Sequence, residues 1–234
     1  MLPYFIFNGT DSRTKNIVVN KYPPRIVPKS RTTEIIVQGR SGSLTIDEGA
    51  YDNVVLACEC TALPAADMED ISAWLKGPGT LVFGDYPSRS LRARADAQIS
   101  FDKIMRGRAH RGFTIPFVCH PGRYVYPAPS NIIVEAPGAV VNPGTMAAEP
   151  RVTVQASGTV TLTLGTSIMV INGGASAWAL VIDSELMDCF NSAMTVLRNH
   201  WMDGDFPMLA PGSNAVTWSG AVTRVTILPR WRYL

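Results

Sequence analysis

The chain has 234 residues, 46% of them hydrophobic, enough for one large domain or two small ones with a buried core, and this excludes a disordered segment. A formal net charge of +2 is too small to mark a nucleic-acid binder by itself. With 19 glycines and 17 prolines the chain must turn often, which favours short strands over long helices.

The N-terminus, Met1-Leu-Pro-Tyr-Phe-Ile-Phe7, has no basic flank and no small-residue cleavage site, so it does not read as a signal peptide. No apolar run approaches the roughly 20 residues a bilayer-spanning helix needs, so no membrane insertion is expected. The Asn8-Gly9-Thr10 triplet then carries no glycosylation meaning. The four cysteines, Cys58, Cys60, Cys119 and Cys189, are too sparse for a disulfide framework. Reduced thiols in a chain folded in a cytoplasm fit them better, with a single bridge left open.

One helix is predicted over about Ala65 to Lys76, where Met68, Ile71, Trp74 and Leu75 make one apolar stripe. Asp67, Glu69 and Asp70 suit its positive end and Lys76 its negative end, and Gly77-Pro78 stops it. Leu81-Val-Phe83 reads as a short strand. From Leu91 to Phe101 every odd position is apolar and the even ones are polar, the pattern of a long strand with one buried and one wet face. After the polar connection Met105-Arg-Gly-Arg-Ala-His-Arg-Gly112, Phe113, Ile115, Phe117 and Cys119 alternate again, so the two runs predict a long β-hairpin. Pro116 has no N–H to give to a ladder, and a free edge or a bulge is expected there.

Residues 126–150 shift to Pro, Gly, Ala and Asn and read as an interdomain connection with one short strand, Ile132-Ile-Val-Glu135. Beyond it, three hairpins are expected around Ala156-Ser-Gly158, Asn172-Gly-Gly174 and Ser219-Gly220, which suggests an antiparallel sandwich. The expected fold class is mainly β, with an N-terminal β-rich domain over 1–128 and a C-terminal β-sandwich over 129–234. The first carries one α-helix and the long hairpin.

The chemistry-bearing residues are few. Cys58 and Cys60 share a face of a strand but have no second ligand pair at a recognised spacing, so no metal site is expected. Ser184 lacks a nucleophile elbow, and no glycine-rich loop matches a phosphate cradle. Asp183 and Glu185 would share a strand face, and paired carboxylates can hydrolyse glycosides; the plainer reading is a strand end running into a polar loop. Trp178, Trp201, Trp218 and Trp231 could stack on sugar rings or pack a core. The hairpin is rich in cations, namely Arg89, Arg92, Arg94, Lys103, Arg106, Arg108 and Arg111, offset only by Asp96 and Asp102. They form a surface for a polyanion such as DNA, or a solvated face with intersubunit ion pairs, and the second reading is favoured because alternating strands routinely carry Arg on their wet side.

Several segments, taken in order, resemble the distal tail protein family of long-tailed phages. Gly39-Arg-Ser-Gly-Ser-Leu44 followed by Glu48-Gly-Ala-Tyr51 is similar to that family's early signature. Ile71-Ser-Ala-Trp-Leu75, Gly79-Thr-Leu-Val-Phe83 and Asp85-Tyr-Pro-Ser-Arg89 resemble its first domain, and Phe113-Thr-Ile-Pro-Phe-Val-Cys-His-Pro121 resembles its closing strand. Ile182-Asp-Ser-Glu185, Gly204-Asp-Phe-Pro207, Pro211-Gly-Ser-Asn214 and Ile227-Leu-Pro-Arg-Trp-Arg232 resemble its C-terminal module.

The resemblance implies a structural virion protein with no catalysis, no metal and no cofactor. Its N-terminal domain would close into a homo-oligomeric, hexameric ring, with a galectin-like sandwich behind. The ring would join the tail tube protein to the tail-tip hub, tail-associated or receptor-binding proteins, with DNA passing through its channel. The expected location is the virion tail tip, and the host cytoplasm during assembly. Arg92, Arg94, Lys103, Arg106, Arg108 and Arg111 are then candidates for an intersubunit face or the channel wall. The alternatives are a carbohydrate-binding sandwich that contributes to host adsorption and a glycoside hydrolase built on Asp183 and Glu185.

Overall fold

The structure, a computed structural model, describes residues 2–95, 99, 102–105 and 108–234. Two compact units divide at Arg123 and Tyr124.

In the first unit the elements run β1 (Phe5–Phe7), β2 (Thr10–Asp11), β3 (Ile17–Lys21), β4 (Ser30–Ile36), β5 (Ser43–Tyr51), β6 (Val54–Ala62), α1 (Met68–Trp74), β7 (Pro78–Phe83), β8 (Arg89–Ala95), β9 (Asp102–Met105) and β10 (Arg108–Val125). Most of the strands form one sheet in the order β2-β1-β7-β8-β10-β6-β3, with β9 added on β10. The alternation along β10 sets its inner face: Phe113, Ile115, Phe117 and Cys119 are buried, while Thr114 is exposed. The same period places Ala93 of β8 inside, with Leu91, Ala95 and Ile99 packed against that core. The expected hairpin is present, with Met105 opposite Arg108; residues 96–98, 100–101 and 106–107 lie outside the described residues.

Helix α1 is shorter than the sequence suggests. Asp67 caps it, its carboxylate accepting the N–H groups of Glu69 and Asp70 at 2.9 and 3.4 Å. Its apolar stripe lands on the sheet: Ile71 and Leu75 are buried, and Trp74 stacks on Phe5 at 5.5 Å. The Trp74 indole N–H also donates to the Phe7 carbonyl at 3.0 Å, which ties the helix to β1. Pro116 pairs on the β6 side in continuous register opposite Ala57, with no bulge on that side. An antiparallel ladder points alternate N–H groups away from a given neighbour, and a proline is tolerated at such a position.

In the second unit the elements are β11 (Ile132–Val134), β12 (Gly138–Asn142), β13 (Arg151–Leu164), β14 (Ser167–Asp183), β15 (Asp188–Asn191), β16 (Met202–Gly204), β17 (Gly212–Leu228) and β18 (Arg232–Tyr233). Residues 126–150 are therefore more than a connection, since β11 and β12 both pair with β17. The three hairpins expected here are instead three long single strands, β13, β14 and β17, each bent near its Gly-Ser stretch. Register slips between Ser157 and Thr159 on β13, where Ala177 and Asn172 of β14 are the successive partners, and β17 slips against β13 at the same place.

The bend converts three strands into a sandwich. On one side of it, β12 and β16 flank the first half of β17, the second half of β13 and the first half of β14. On the other, β11 and β15 flank the remaining halves. Val152 and Val154 from one side and Leu162 and Leu164 from the other bury into one core, as in sheets whose strands switch layers at a corner. Gly220 makes the corner possible. Its φ is +94°, and an added Cβ would lie 2.7 Å from the Thr159 carbonyl oxygen. The true hairpin turn joins β13 to β14 at Gly165-Thr166, with Leu164 opposite Ser167.

Candidate functional site

The basic strip begins on β8. Arg92 lies opposite Thr80 and Arg94 opposite Pro78 of β7, on the strand face that Ala93 does not share. Both arginines line an outer groove with Asn53, Thr80 and His120. Backbone register sets Lys103 opposite Arg111 and Arg108 opposite Met105, which brings these cations to the neighbouring hairpin. Arg106 is outside the described residues. The sheet thus gathers Arg92 and Arg94 on one wet surface and carries Lys103, Arg108 and Arg111 on the strands that extend from it.

A second feature escaped the sequence reading. Among the described residues, strands β4 and β5 pair only with each other and form a two-stranded arm separate from the main sheet. Ile35 is opposite Leu44 and Thr33 opposite Ile46, so these four share one face, and Val37 continues it. Ile35, Val37, Leu44 and Ile46 are each 41–46% exposed. The other face holds Thr32, Glu34, Ser43, Thr45 and Asp47, with Ile36 as its apolar exception. The signal was the Ile-Ile-Val run at 35–37, the Leu44 and Ile46 alternation, and a glycine-flanked tip in which Gly39 and Gly42 have φ of +82° and +84°.

Asp183 and Glu185 do not form a hydrolytic pair. Asp183 ends β14, is fully buried, and sits opposite Arg151. Arg230 grips it through two bonds of 2.7 and 2.8 Å, and Arg151 adds a third at 2.8 Å. The same carboxylate accepts the backbone N–H groups of Glu185 and Leu186. Burial alone would raise its pKa, but the guanidinium bonds of Arg230 and Arg151 outweigh that and hold it below the ordinary aspartate value. Glu185 pairs with the same Arg230 at 3.0 Å. A carboxylate locked in this way cannot accept or deliver a proton at a sugar.

The tryptophans serve the sandwich. Trp231 is buried, and Trp178, Trp201 and Trp218 pack half-buried against the core. Trp178 donates to the Gly158 carbonyl at 3.0 Å and meets Trp201 edge-on at 6.1 Å. Cys58 and Cys60 bring their sulfurs within 3.7 Å on the core face of β6. The hydrogen bond with Cys58 and burial push the Cys60 thiol up, and burial takes Cys119 up to about 12, so Cys60 and Cys119 pack as small neutral groups.

No protein-family model and no curated protein sequence matches the chain. Solved structures do. The chain is similar to the Dit protein (gp 19.1) of phage SPP1, described as a paradigm of the hub adsorption apparatus in phages that infect Gram-positive hosts. The TM-score is 0.73 at 14% identity, over 100% of both chains. It also resembles a chain of the phage P2 baseplate in its activated conformation with calcium, at TM-score 0.52 and 9% identity over 97% of each chain. The strontium form gives 0.52 and 8%, over 97% of this chain and 98% of the other. The chain has the fold of a phage tail hub protein. The likeness covers both units, so it is more than a shared sandwich.

The Asp183 cluster gives a test of the second unit's stability. A carboxyl with a lowered folded pKa contributes stability that is present above its unfolded pKa of about 3.8 and is lost as pH falls through the folded value. Asp183→Asn removes the carboxylate shared by Arg151 and Arg230, leaving Arg230 only its pair with Glu185, and should cost about 3–5 kcal/mol at neutral pH. Urea unfolding followed by tryptophan fluorescence at pH 7 and pH 3 should show a smaller acid loss in the variant than in the parent. An unchanged acid loss would contradict this account of the cluster.

Proposed function

We propose that the chain is a structural protein of a long-tailed phage virion, with the first unit closing into a hexameric ring at the distal end of the tail. The observation that carries this reading is the full-length likeness to the phage SPP1 hub protein, in which both units and their order along the chain correspond. Physical features of the first unit support it. An amphipathic arm with an uncovered apolar face is a poor ending for a monomer and a suitable one for a subunit. A ring uses a heterologous contact that closes on itself, so a projecting element on one copy must meet a different surface on the next.

The ring would join the tail tube protein above to the tail-tip hub or receptor-binding proteins below, with the DNA passing through its centre. It would assemble in the host cytoplasm and persist in the virion. The role needs no catalysis and no cofactor. Arg92 and Arg94, together with Lys103, Arg106, Arg108 and Arg111, would line the channel or face a neighbouring subunit. A moderately positive wall would guide a polyanion past without holding it. The carbohydrate-binding alternative has less support, because the rings it relies on pack against the core.

Light scattering across a concentration series tests the ring. A species near six times the 25.4 kDa subunit is expected at high concentration. A strict monomer throughout, also in the presence of the tail tube protein, would contradict it. For the channel wall, phage carrying Arg92→Gln and Arg94→Gln should assemble but eject DNA at an altered rate. Ejection that is unchanged in rate and completeness would remove that role from the strip.

A further inference from the structure

The first unit carries a groove whose charge is left over from its own packing. The floor is apolar and includes Ile26, Pro28, Leu56, Phe83 and Leu91. The guanidiniums of Arg25, Arg89 and Arg123 line it, against the single carboxylate of Asp85. Arg25 lies over the Tyr86 ring at 4.2 Å and Arg89 over the same ring at 5.8 Å. Stacking occupies the flat face of a guanidinium and leaves the N–H groups on its edge to donate. Arg123 donates to the Ile26 carbonyl at 3.3 Å, which ties the proline-rich stretch 22–29 to the groove. Among the described residues, Arg25 is exposed and makes no hydrogen bond or ion pair, and Asp85 pairs with none of the three arginines.

The floor and the cations together select an occupant. Duplex DNA would meet the guanidiniums with its phosphates and leave the apolar floor uncovered. A purely apolar surface would fill the floor and leave the cations without partners. A protein segment with carboxylates beside an apolar side chain answers both. Such a segment is a turn or a chain end, because a regular strand sends neighbouring side chains to opposite faces. The chain's own arm fails on that point: Ile35 and Leu44 lie on one face, and Glu34 and Asp47 on the other. The chain as a whole is formally +2, so a second copy gains less from this groove electrostatically than an acidic protein does.

We infer that the groove lined by Ile26 and Leu56 is the docking site for an acidic segment of a different protein. An apolar side chain of that segment sits on the floor, and its neighbouring carboxylates take the open N–H edges of Arg25 and Arg123. This goes beyond the ring reading and does not depend on it.

Fluorescence anisotropy of the full chain with two labelled peptides tests it. One carries a leucine flanked on both sides by glutamates, and the other has glutamine in place of every glutamate. Saturable binding of the glutamate peptide is expected, falling as salt is raised. It should weaken by about tenfold or more in the glutamine form and in Arg25→Glu. Arg25 is exposed, so that variant should keep the parent's circular dichroism. Ile26→Asp, which places a carboxylate at the floor, should weaken the same peptide. Equal affinity for both peptides, binding untouched by Arg25→Glu, or no saturable binding would overturn the docking site. Loss of the chain's own oligomers in Arg25→Glu, with the peptide unbound by the parent, would overturn it too and give the groove to a second copy. A strict monomer that still binds the glutamate peptide would sink the ring reading and leave this inference standing.

Discussion

A β-sheet with one apolar face needs that face covered, and the two units meet this requirement in different ways. The second unit covers itself. Three long strands bend at Gly-Ser stretches and run on into the opposite layer, so Val152 and Val154 close over Leu162 and Leu164 in a single core. The first unit covers the inner face of its main sheet with the Phe5, Phe7, Phe113 and Phe117 rings and the short helix α1. It leaves the arm uncovered. A two-stranded ribbon buries little by itself and is marginal in water, so its apolar face is best understood as half of a contact.

That contrast links the fold to the proposed role. A fold does not assign a function, and the likeness to the phage SPP1 hub protein at 14% identity is a statement about architecture. The assembly reading gains weight because the features left over once each core is accounted for are surfaces: an arm, a groove and a basic sheet face. The features that might have carried chemistry are spent on stability. Asp183 is held by two arginines, the second unit's tryptophans pack its core, and the thiols of Cys58 and Cys60 face inwards.

Much of this was legible in the sequence wherever one periodicity ruled. The odd positions of β8 and β10, the stripe of α1 and the strand at Leu81–Phe83 could all be read because burial on one face repeats every two or every 3.6 residues. The three misread hairpins show the limit. Asn172-Gly-Gly174 and Ser219-Gly220 carry the residues of a tight turn, but glycine serves a strand bend equally well, as the positive φ of Gly220 within β17 shows. Which one forms depends on the partner strand, and local sequence does not name the partner. The reading of residues 126–150 failed for the same reason, since β17 supplied the pairing. The basic strip was visible as composition, and alternation puts Arg92 and Arg94 on one sheet face. The arm was missed because its apolar residues read as ordinary core until the structure left them in solvent. Asp183 looked like a polar strand end because Arg230 lies far along the chain.

The most direct test of the central claim is electron microscopy of the purified chain at high concentration. The account predicts closed six-membered rings with an open centre, built from the first unit. Open filaments of unlimited length, or single particles at every concentration and with the tail tube protein added, would contradict it.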